Sequence, residues 1–250
     1  MQATLEKDLD YDEGIYYPSS DGEPMAETPI HAHCMVMLFQ ALQDFFRDRP
    51  QVYLAINMNW YWQKGNPKAR RAPDVMVIPN VEPNDRNSFR SWNEKGARPS
   101  VCFEMASKKT WKKALGVVKD DYEANGVKEY FIFDPRFQFL DEPLLGFRLQ
   151  RKRYVEIDPE AGGGMVSEQL KLRFVPKLDR LRVINLATGE EFLTRDEVIA
   201  QERAKIENLL HSTAERIIQE RSRGDTLAAE VARLRAELLT SKKSANGAQQ

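Results

Sequence analysis

The chain has few of the residues that build disulfide frameworks and zinc sites. Its 250 residues include two cysteines, Cys34 and Cys102, and three histidines. Two cysteines cannot form a disulfide-stapled scaffold or a four-cysteine zinc site, so both are expected to be small core residues. Any bound metal would depend mainly on carboxylate ligands, which favour a hard ion such as Mg²⁺.

Positive and negative charges are nearly balanced in this chain, and long apolar runs are absent from its sequence. Lys and Arg number 37 and Asp and Glu number 38, for a formal net charge of -1, which excludes a protein that holds nucleic acid by bulk positive charge. No apolar run approaches the roughly 20 residues of a membrane span, and the acidic N-terminus lacks the apolar core of a signal peptide. Hydrophobic residues make up 42% of the chain, enough for a packed core. A cytoplasmic protein with no membrane segment is expected.

Apolar periodicity predicts six core elements in the order helix-strand-strand-strand-helix-strand. They are predicted over residues 28–49, 52–62, 73–79, 100–106, 109–125 and 129–135. The first helix begins at Thr28, since a threonine followed by Pro29 is a common start signal, and the second ends at Gly126. Residues 80–99 are polar and aperiodic, and we interpret them as a long loop.

The rest of the chain predicts a leader, a β extension, a helical segment and a disordered tail. They are assigned to residues 1–27, 144–195, 196–243 and 244–250, around a core domain over 28–143. The helical segment has a heptad pattern typical of a coiled coil, with Leu210, Ile217, Leu227, Val231, Leu234 and Leu238 at a and d positions. Glu220 and Gly224 interrupt this seam, so two helices or one kinked helix are both compatible with it. The apolar stripe predicts a homodimer through this helix.

Two acidic residues stand in short strands that are otherwise apolar. Asp74 opens the strand over 73–79, and Glu104 lies within the strand over 100–106. Charged side chains in such strands are costly unless they are paired or bind a metal. If the strands are antiparallel neighbours, both carboxylates meet at one end of the sheet and can bind Mg²⁺. The alternative, which spacing alone favours, is that Asp74 caps a turn and Glu104 pairs with a lysine.

Two clusters of basic residues flank these acids in the sequence. One comprises Lys108, Lys109, Lys112, Lys113 and Lys119, and the other comprises Lys64, Lys68, Arg70 and Arg71. Such clusters can neutralise the phosphates of nucleic acid, and Trp60 and Trp62 can add stacking. The alternative without a functional role is a solvated helix face for the first cluster and a polar hairpin next to a half-buried strand for the second. Lysine density alone favours the solvated face for the helix. For the hairpin, nucleic-acid contact and a polar hairpin tip are equally compatible with the sequence.

The two histidines of the first helix do not form a convincing metal chelate. His31 and His33 are two residues apart and therefore point to different faces of the helix. Of the two, His31 is better placed to approach the end of the sheet, but capping or surface placement is the favoured interpretation.

Three segments taken together resemble the Uma-type family of restriction endonucleases. They read APDVMVIP, SVCFEMASKKT and KDDYEANGVKEYFIFDP. The family belongs to the PD-(D/E)XK, or restriction-endonuclease-like, superfamily, whose core order is the one predicted above. The resemblance covers about residues 12–197. It implies an α/β restriction-endonuclease-like core, to which the β extension and the C-terminal coiled-coil helix are added.

The resemblance also implies a set of metal ligands. Asp74 matches the Asp of the PD half-motif, and Glu104 matches the second metal carboxylate. The carbonyl of Met105 would be a third ligand, and Glu27 matches a recurrent acid that would reach the metal from the first helix. The implied cofactor is Mg²⁺ or Mn²⁺.

A catalytic lysine is implied in the second helix rather than in the strand. The strand position is Ala106, in agreement with the usual family pattern, and Lys119 is the candidate in the helix. Two helix positions depart from that pattern. Ala114 replaces a usual acid, and Val118 stands where a lysine is common, one residue before Lys119.

The implied function is metal-dependent hydrolysis of phosphodiester bonds, with DNA as the expected substrate and Lys119 assisting the attacking water. A second hypothesis is a catalytically degenerate module that kept the fold and works as a dimeric interaction or nucleic-acid-binding protein. Ala114 and Val118 favour it, whereas Asp74, Glu104 and Lys119 favour the enzyme. A third hypothesis is nucleic-acid binding without cleavage through the basic loop over 64–71.

Overall fold

The computed structural model describes residues 10–20, 28–177 and 180–247, with side chains up to residue 238. The chain divides into two compact units at Thr194 and Arg195. The helices are α1 (Pro29–Phe46), α2 (Trp111–Lys113), α3 (Lys119–Ala124) and α4 (Arg195–Gly247), with a π-helical segment (Ala114–Val118) between α2 and α3 and a short 3₁₀ helix (Ser91–Glu94). The strands are β1 (Tyr11–Asp12), β2 (Ile15–Tyr16), β3 (Val52–Ile56), β4 (Trp60–Tyr61), β5 (Arg70–Arg71), β6 (Val75–Pro79), β7 (Phe89–Arg90), β8 (Val101–Met105), β9 (Glu129–Phe133), β10 (Leu144–Gln150), β11 (Arg153–Glu156), β12 (Met165–Ser167), β13 (Leu172–Lys177) and β14 (Arg180–Asn185).

A six-stranded mixed sheet forms the centre of the first unit. Its strand order is β11-β10-β9-β8-β6-β3. Strands β8 and β9 are parallel, and every other neighbouring pair in this sheet is antiparallel. The predicted order of core elements is confirmed, because α1, β3, β6, β8, α2 with α3, and β9 follow one another along the chain.

Alternating side chains of the sheet are buried in two separate cores. Val101, Phe103 and Met105 of β8 face one core, which also contains α1 residues and the three-stranded sheet of β12, β13 and β14. Cys102 and Ala106 face the other core, together with Tyr122 of α3. Because burial alternates along the strand, β8 is covered on both faces, as expected for a central strand with a parallel neighbour. Both cysteines are buried core residues, as predicted.

Helix α1 begins as its sequence predicts. The side chain of Thr28 accepts a hydrogen bond from the backbone N–H of His31 at 3.3 Å, and Pro29 occupies the first turn. This N-cap satisfies one of the helix donors that lack an intrahelical partner. The helix ends at Phe46, three residues before the predicted Arg49.

The prediction of one long strand over 52–62 is wrong. Strand β3 ends at Ile56, and Asn57 adopts a left-handed conformation with φ 44° while its N–H donates to the carbonyl of Asp74 at 3.1 Å. The chain then enters a separate three-stranded sheet in the order β5-β4-β7. Alternation persists across this break because both strands have a buried face, so the pattern cannot reveal where the chain turns.

The predicted long loop over residues 80–99 contains two short elements. This segment supplies β7, which pairs in parallel with β4, and the 3₁₀ helix. Both elements are too short to produce a periodic pattern in the sequence.

The second predicted helix is split by the π-helical segment. Within that segment Gly116 has φ -109° and ψ -110°, a backbone conformation that glycine adopts with little cost. The helix ends at Ala124, and Gly126 follows in a left-handed conformation with φ 77°, as its sequence predicts.

The predicted β extension has two parts. Strands β10 and β11 extend the central sheet beyond β9, whereas β12, β13 and β14 form their own sheet on the α1 face. The two parts are joined to the core by Glu129, a fully buried carboxylate at the start of β9. Glu129 accepts hydrogen bonds from Arg148 Nε at 3.0 Å and from the N–H of Glu168 at 2.9 Å. The Ser167 hydroxyl also donates to it.

Helix α4 is one continuous helix through Gly224, with exposed side chains along its described length. The structure thus favours a single helix over two for this segment. None of the helices in the described residues is long and apolar enough to cross a lipid bilayer.

We expect the substitution Glu129→Ala to lower the free energy of unfolding by about 3–5 kcal/mol, because it leaves Arg148 and two backbone donors without their buried acceptor. Urea denaturation measures the change. The matched control is Glu168→Ala, which also removes a partner of Arg148 but at an exposed carboxylate. Its cost should stay below about 1 kcal/mol, and equal costs for the two variants would contradict this role of Glu129.

Candidate active site

Strand pairing brings the two predicted carboxylates together. Strands β6 and β8 are antiparallel neighbours in which Val75 pairs with Phe103. The next pair in this register is Asp74 and Glu104, so both residues lie at the same end of the sheet. Backbones of neighbouring strands are about 4.8 Å apart, which is close enough for the two charges to repel each other.

Asp74 is held from two directions. It is only 7% exposed, and its Oδ2 atom accepts a hydrogen bond from the backbone N–H of Met105 at 2.6 Å. Its Oδ1 atom lies 3.1 Å from Nε2 of the buried His31. The helix start at Thr28 explains this contact, because it places His31 in the first turn of α1 beside the sheet end. The less favoured interpretation of His31 is therefore the correct one.

Glu104 lies in an environment that disfavours its charge. Burial raises the pKa of its carboxyl well above the usual value, and the negative charge of Asp74 raises it further. The hydroxyl of Tyr122 donates to Glu104 Oε1 at 2.8 Å and opposes that rise. Burial and the nearby Glu104 also raise the pKa of Tyr122 well above its usual value, so Tyr122 remains a protonated donor.

Arg71 is the cation whose charge acts on Glu104. Its positive charge lowers the pKa of the Glu104 carboxyl, against the effects of burial and Asp74. Its side chain forms an ion pair with Asp121 of α3, next to Tyr122, and donates from Nη1 to the carbonyl of Arg70 at 3.0 Å. The guanidinium thus connects the segment that precedes Asp74 with the helix that supports Glu104.

Lys119 lies away from the carboxylates. Its Nζ atom is 4.7 Å from the centroid of the Phe147 ring, on strand β10. Strand β9 separates β10 from β8, so the backbones of these two strands are about 10 Å apart. Lys119 still shares a helix face with Tyr122, three residues later. The remaining proposed ligand, Glu27, lies outside the described residues.

The predicted basic clusters are divided among different surroundings. Trp60 and Tyr61 are fully buried, which supports the core interpretation of these aromatic residues. Lys64 pairs with Glu13 at 2.6 Å, and the Lys112 ammonium lies 5.3 Å from the Trp111 ring centroid.

Two cavities flank the carboxylate pair. The first, which we call the basic cleft, has a volume of about 440 Å³ and is lined by Asn57, Asn59, Pro67, Lys68, Arg70, Arg71 and Ala72. The second has about 210 Å³, and its lining includes His31, Ser107, Lys108 and Asp134. Basic residues contribute to the lining of both cavities.

The donor set is compatible with a hard divalent ion. Within residues 10–20, 28–177 and 180–247 there is no group of three or more His, Cys, Asp or Glu residues able to hold a metal. Mg²⁺, however, keeps several of its waters and is commonly bound through one or two carboxylates. The repulsion between Asp74 and Glu104, which contributes to the raised pKa of Glu104, is what a cation between them would relieve.

The sequence predicts no role for Tyr122, and for Arg71 it predicts phosphate contact rather than an effect on Glu104. The signal for Arg71 is its position three residues before Asp74, in the sequence RRAPD. Tyr122 is the aromatic residue of KDDYEA, and in the sequence nothing separates a tyrosine that orients a carboxylate from one that only fills the core.

Comparison with known proteins gives a family match. Residues 6–178 match the Uma2 family, described as "Putative restriction endonuclease". No curated protein gives a significant match. Among solved structures, a nuclease from Anabaena variabilis, titled as a putative nuclease belonging to DUF820, is 15% identical in sequence. The similarity covers 64% of this chain and 81% of that chain, with a TM-score of 0.43.

We expect Glu104→Gln to stabilise the metal-free protein at neutral pH. A carboxyl whose pKa is raised by folding contributes stability at low pH and loses it as pH rises through the folded-state pKa. The gain from the substitution should therefore shrink as the pH is lowered toward the ordinary pKa of glutamate. Urea denaturation in EDTA at neutral and mildly acidic pH measures it.

The control for this prediction is Glu123→Gln. Hydrogen bonds from the Tyr154 N–H and from Arg153 lower the pKa of Glu123, so this variant should instead lose stability at neutral pH. A destabilised Glu104→Gln protein at neutral pH would contradict the environment described for Glu104.

Proposed function

The chain belongs to the Uma2 family, and we propose that it is a metal-dependent endonuclease that hydrolyses phosphodiester bonds of nucleic acid. The observation that carries the proposal is the pairing of β6 with β8, which sets Asp74 opposite Glu104. Two acids at one sheet end, with basic cavities beside them, suit a reaction in which both a metal and a phosphate must be bound.

Asp74, Glu104 and the carbonyl of Met105 would hold Mg²⁺ or Mn²⁺, with Glu27 as a further ligand. When bound, such an ion polarises a phosphate and lowers the pKa of a bound water. The carboxylates keep enough acceptor capacity for this task, because each oxygen has two lone pairs and the described contacts use only part of them.

The surrounding residues orient the two acids. The Met105 N–H and His31 restrict rotation of the Asp74 carboxylate, and the Tyr122 hydroxyl does the same for Glu104. Preorganised ligands bind with less loss of conformational freedom, which favours a defined geometry at the reacting phosphate. Arg71 supplies positive charge next to the site.

Lys119 is proposed to assist the attacking water. For this role its ammonium would leave the Phe147 ring and turn toward the β8 end of the sheet. The long lysine side chain permits such a change. Lys119 is half-buried against the buried Phe147 ring, and a cation-π contact holds a cation by about 0.5–1 kcal/mol when exposed and about 2 kcal/mol when desolvated.

DNA is the proposed substrate, a cytoplasmic location is proposed for the protein, and α4 is proposed to form a homodimer. The apolar residues at heptad positions of α4 are exposed in the single chain. A long isolated helix gains little from helix propensity, so burial against a second copy would stabilise it.

A second candidate function is a nucleic-acid-binding or interaction module without cleavage. The contact of Lys119 with Phe147, together with the departures at Ala114 and Val118, favours it. The two functions differ in whether phosphodiester bonds are broken, which one assay decides.

We expect the full-length protein to cleave DNA or RNA substrates in the presence of Mg²⁺ or Mn²⁺, and Glu104→Gln to abolish this cleavage. Lys119→Met should slow it by about 10²-fold or more, on the scale of lost general acid-base assistance. Single-turnover cleavage of labelled substrates measures both effects.

The control is Lys113→Met, which removes an exposed lysine from the same helical region. Cleavage by Glu104→Gln at the wild-type rate would refute the proposed metal site. A loss of rate in Lys113→Met but not in Lys119→Met would instead move the assisting role to the other lysine. A folded wild-type protein that binds nucleic acid but does not cleave any of it would favour the second candidate function.

A further inference from the structure

We propose that the basic cleft binds a backbone phosphate of the nucleic acid, next to the phosphate that is cleaved. This inference rests on the proposed function and adds to it a binding site. The cleft is lined by one lysine, two arginines and two asparagines, and no acidic residue contributes to its lining. Its composition therefore favours an anion over a cation or an apolar ligand.

The cleft lies directly beside the carboxylate pair. Asn57 in its lining donates its backbone N–H to the carbonyl of Asp74 at 3.1 Å. Arg71, another lining residue, forms an ion pair with Asp121, the residue before Tyr122, whose hydroxyl donates to Glu104 Oε1 at 2.8 Å. A strand that places one phosphate at Asp74 and Glu104 would thus have its neighbouring phosphate within reach of the cleft.

Two hydrogen bonds hold the Arg70 guanidinium in place and use only part of its N–H donors. Its Nη1 atom donates to the hydroxyl of Tyr61 at 3.0 Å and to the carbonyl of Pro67 at 3.5 Å. Within the described residues, no hydrogen bond involves its Nη2 or Nε atom. A guanidinium fixed on one side and open on the other is suited to bidentate contact with phosphate.

Lys68 adds a charge that the protein does not neutralise. It is exposed, and within the described part of the chain its ammonium forms no ion pair. Arg71, by contrast, is engaged with Asp121. Lys68 and Arg70 are therefore the residues through which the cleft would contact a phosphate, with Arg71 linking it to the carboxylates.

The cleft fits the sugar-phosphate backbone better than a base. The neighbouring aromatic residues Trp60 and Tyr61 are fully buried and do not belong to its lining. Within the described residues no aromatic side chain contributes to the lining of the cleft, so a base would find no ring there on which to stack. Recognition through this cleft should consequently be independent of sequence.

Metal-free binding by the full-length protein tests the inference. In EDTA, fluorescence anisotropy with two labelled duplexes of unrelated sequence gives the affinity at a series of salt concentrations. Lys68→Ala and Arg70→Gln should each weaken binding of both duplexes equally and reduce the salt slope by about 1. The control is Lys128→Ala. Lys128 is exposed and lies just before β9, at the end of that strand away from Glu104, so this variant should change neither the affinity nor the salt slope.

The outcomes separate this inference from the proposed function. The phosphate site would be overturned if Lys68→Ala and folded Arg70→Gln kept the wild-type affinity and salt slope. It would also be overturned if the wild-type protein bound neither duplex and no RNA. Weakened binding in these variants with a wild-type protein that never cleaves would support the site and overturn the endonuclease.

A second inference rests independently on α4, and we infer that this helix pairs antiparallel with α4 of a second copy, centred on Ser222. Exposed apolar residues recur in one heptad phase, comprising Ile199, Ile206, Leu210, Ile217, Leu227, Val231, Leu234 and Leu238. The other a and d positions between them are Arg203, Thr213, Glu220 and Gly224. Because α4 continues through Gly224, the seam has a single register that can be matched against a second copy.

A parallel dimer in register would place like charges together. Each seam residue would meet its own copy, so Glu220 would face Glu220 within the core of the seam. At the flanking positions, Arg216 would meet Arg221 of the second copy, and one pair of opposite charges, Glu230 with Arg235, would offset part of this repulsion. Buried or closely opposed like charges are costly.

The antiparallel arrangement matches apolar residues with one another. Leu210 faces Leu234, Ile217 faces Leu227, and Ile206 faces Leu238 of the second copy, and each pairing occurs twice by symmetry. Glu220 then faces Gly224. The glycine leaves space for the carboxylate, and Thr213 faces Val231.

Flanking charges agree with the same arrangement. Arg216 meets Glu230, and Glu207 meets Arg235. Arg221 and Arg223 meet their own copies at the centre, beside both Glu220 carboxylates, and Arg223 already pairs with Glu220 within one chain at 3.3 Å. The central positive charges are thereby offset.

Disulfide trapping distinguishes the two orientations in the full-length protein. We expect a mixture of Leu210→Cys and Leu234→Cys, one carrying a size tag, to form the mixed disulfide. Neither variant alone should cross-link to itself, because its own positions would be about 36 Å apart along the helix. The native Cys34 and Cys102 are buried and do not compete. Self-cross-linking of each variant would support a parallel dimer and overturn the inference, as would a wild-type monomer in light scattering at micromolar concentration.

Discussion

Two negative charges held at neighbouring strand ends are the constraint on which this structure depends. Asp74 and Glu104 are brought together by the register of β6 and β8, and a slip of one residue would turn Glu104 toward the opposite face of the sheet. Their repulsion and desolvation oppose folding. The Met105 amide, the Tyr122 hydroxyl and Arg71 offset part of this cost, which explains why polar groups from separate elements converge there.

Features with a local cause could be predicted from the sequence. Thr28 and Pro29 mark a helix start through capping chemistry, and Gly126 marks a helix end through its backbone freedom. The alternation over β8 identified which of its residues share a face. Because acids are rare in apolar strands, the same pattern singles out Asp74 and Glu104, and the antiparallel pairing that this prediction requires is present.

Features set by distant parts of the chain could not be predicted in this way. The end of β3 depends on the bond from the Asn57 N–H to the Asp74 carbonyl, which only the assembled sheet provides. Arg71 meets Asp121 fifty residues later in the chain. Lys119 illustrates the same limit, since its position in the helix was correct while its contact with Phe147 depends on β10 joining the central sheet.

The kink at Gly116 changes how the side chains on its two sides relate to each other. Gly116 has φ -109° and ψ -110°, outside the helical region, so the period of about 3.6 residues of an α-helix does not continue through it. Lys113 and Lys119 therefore belong to two helical stretches with separate phases. An alignment that assumes one phase will equate side chains that point in different directions.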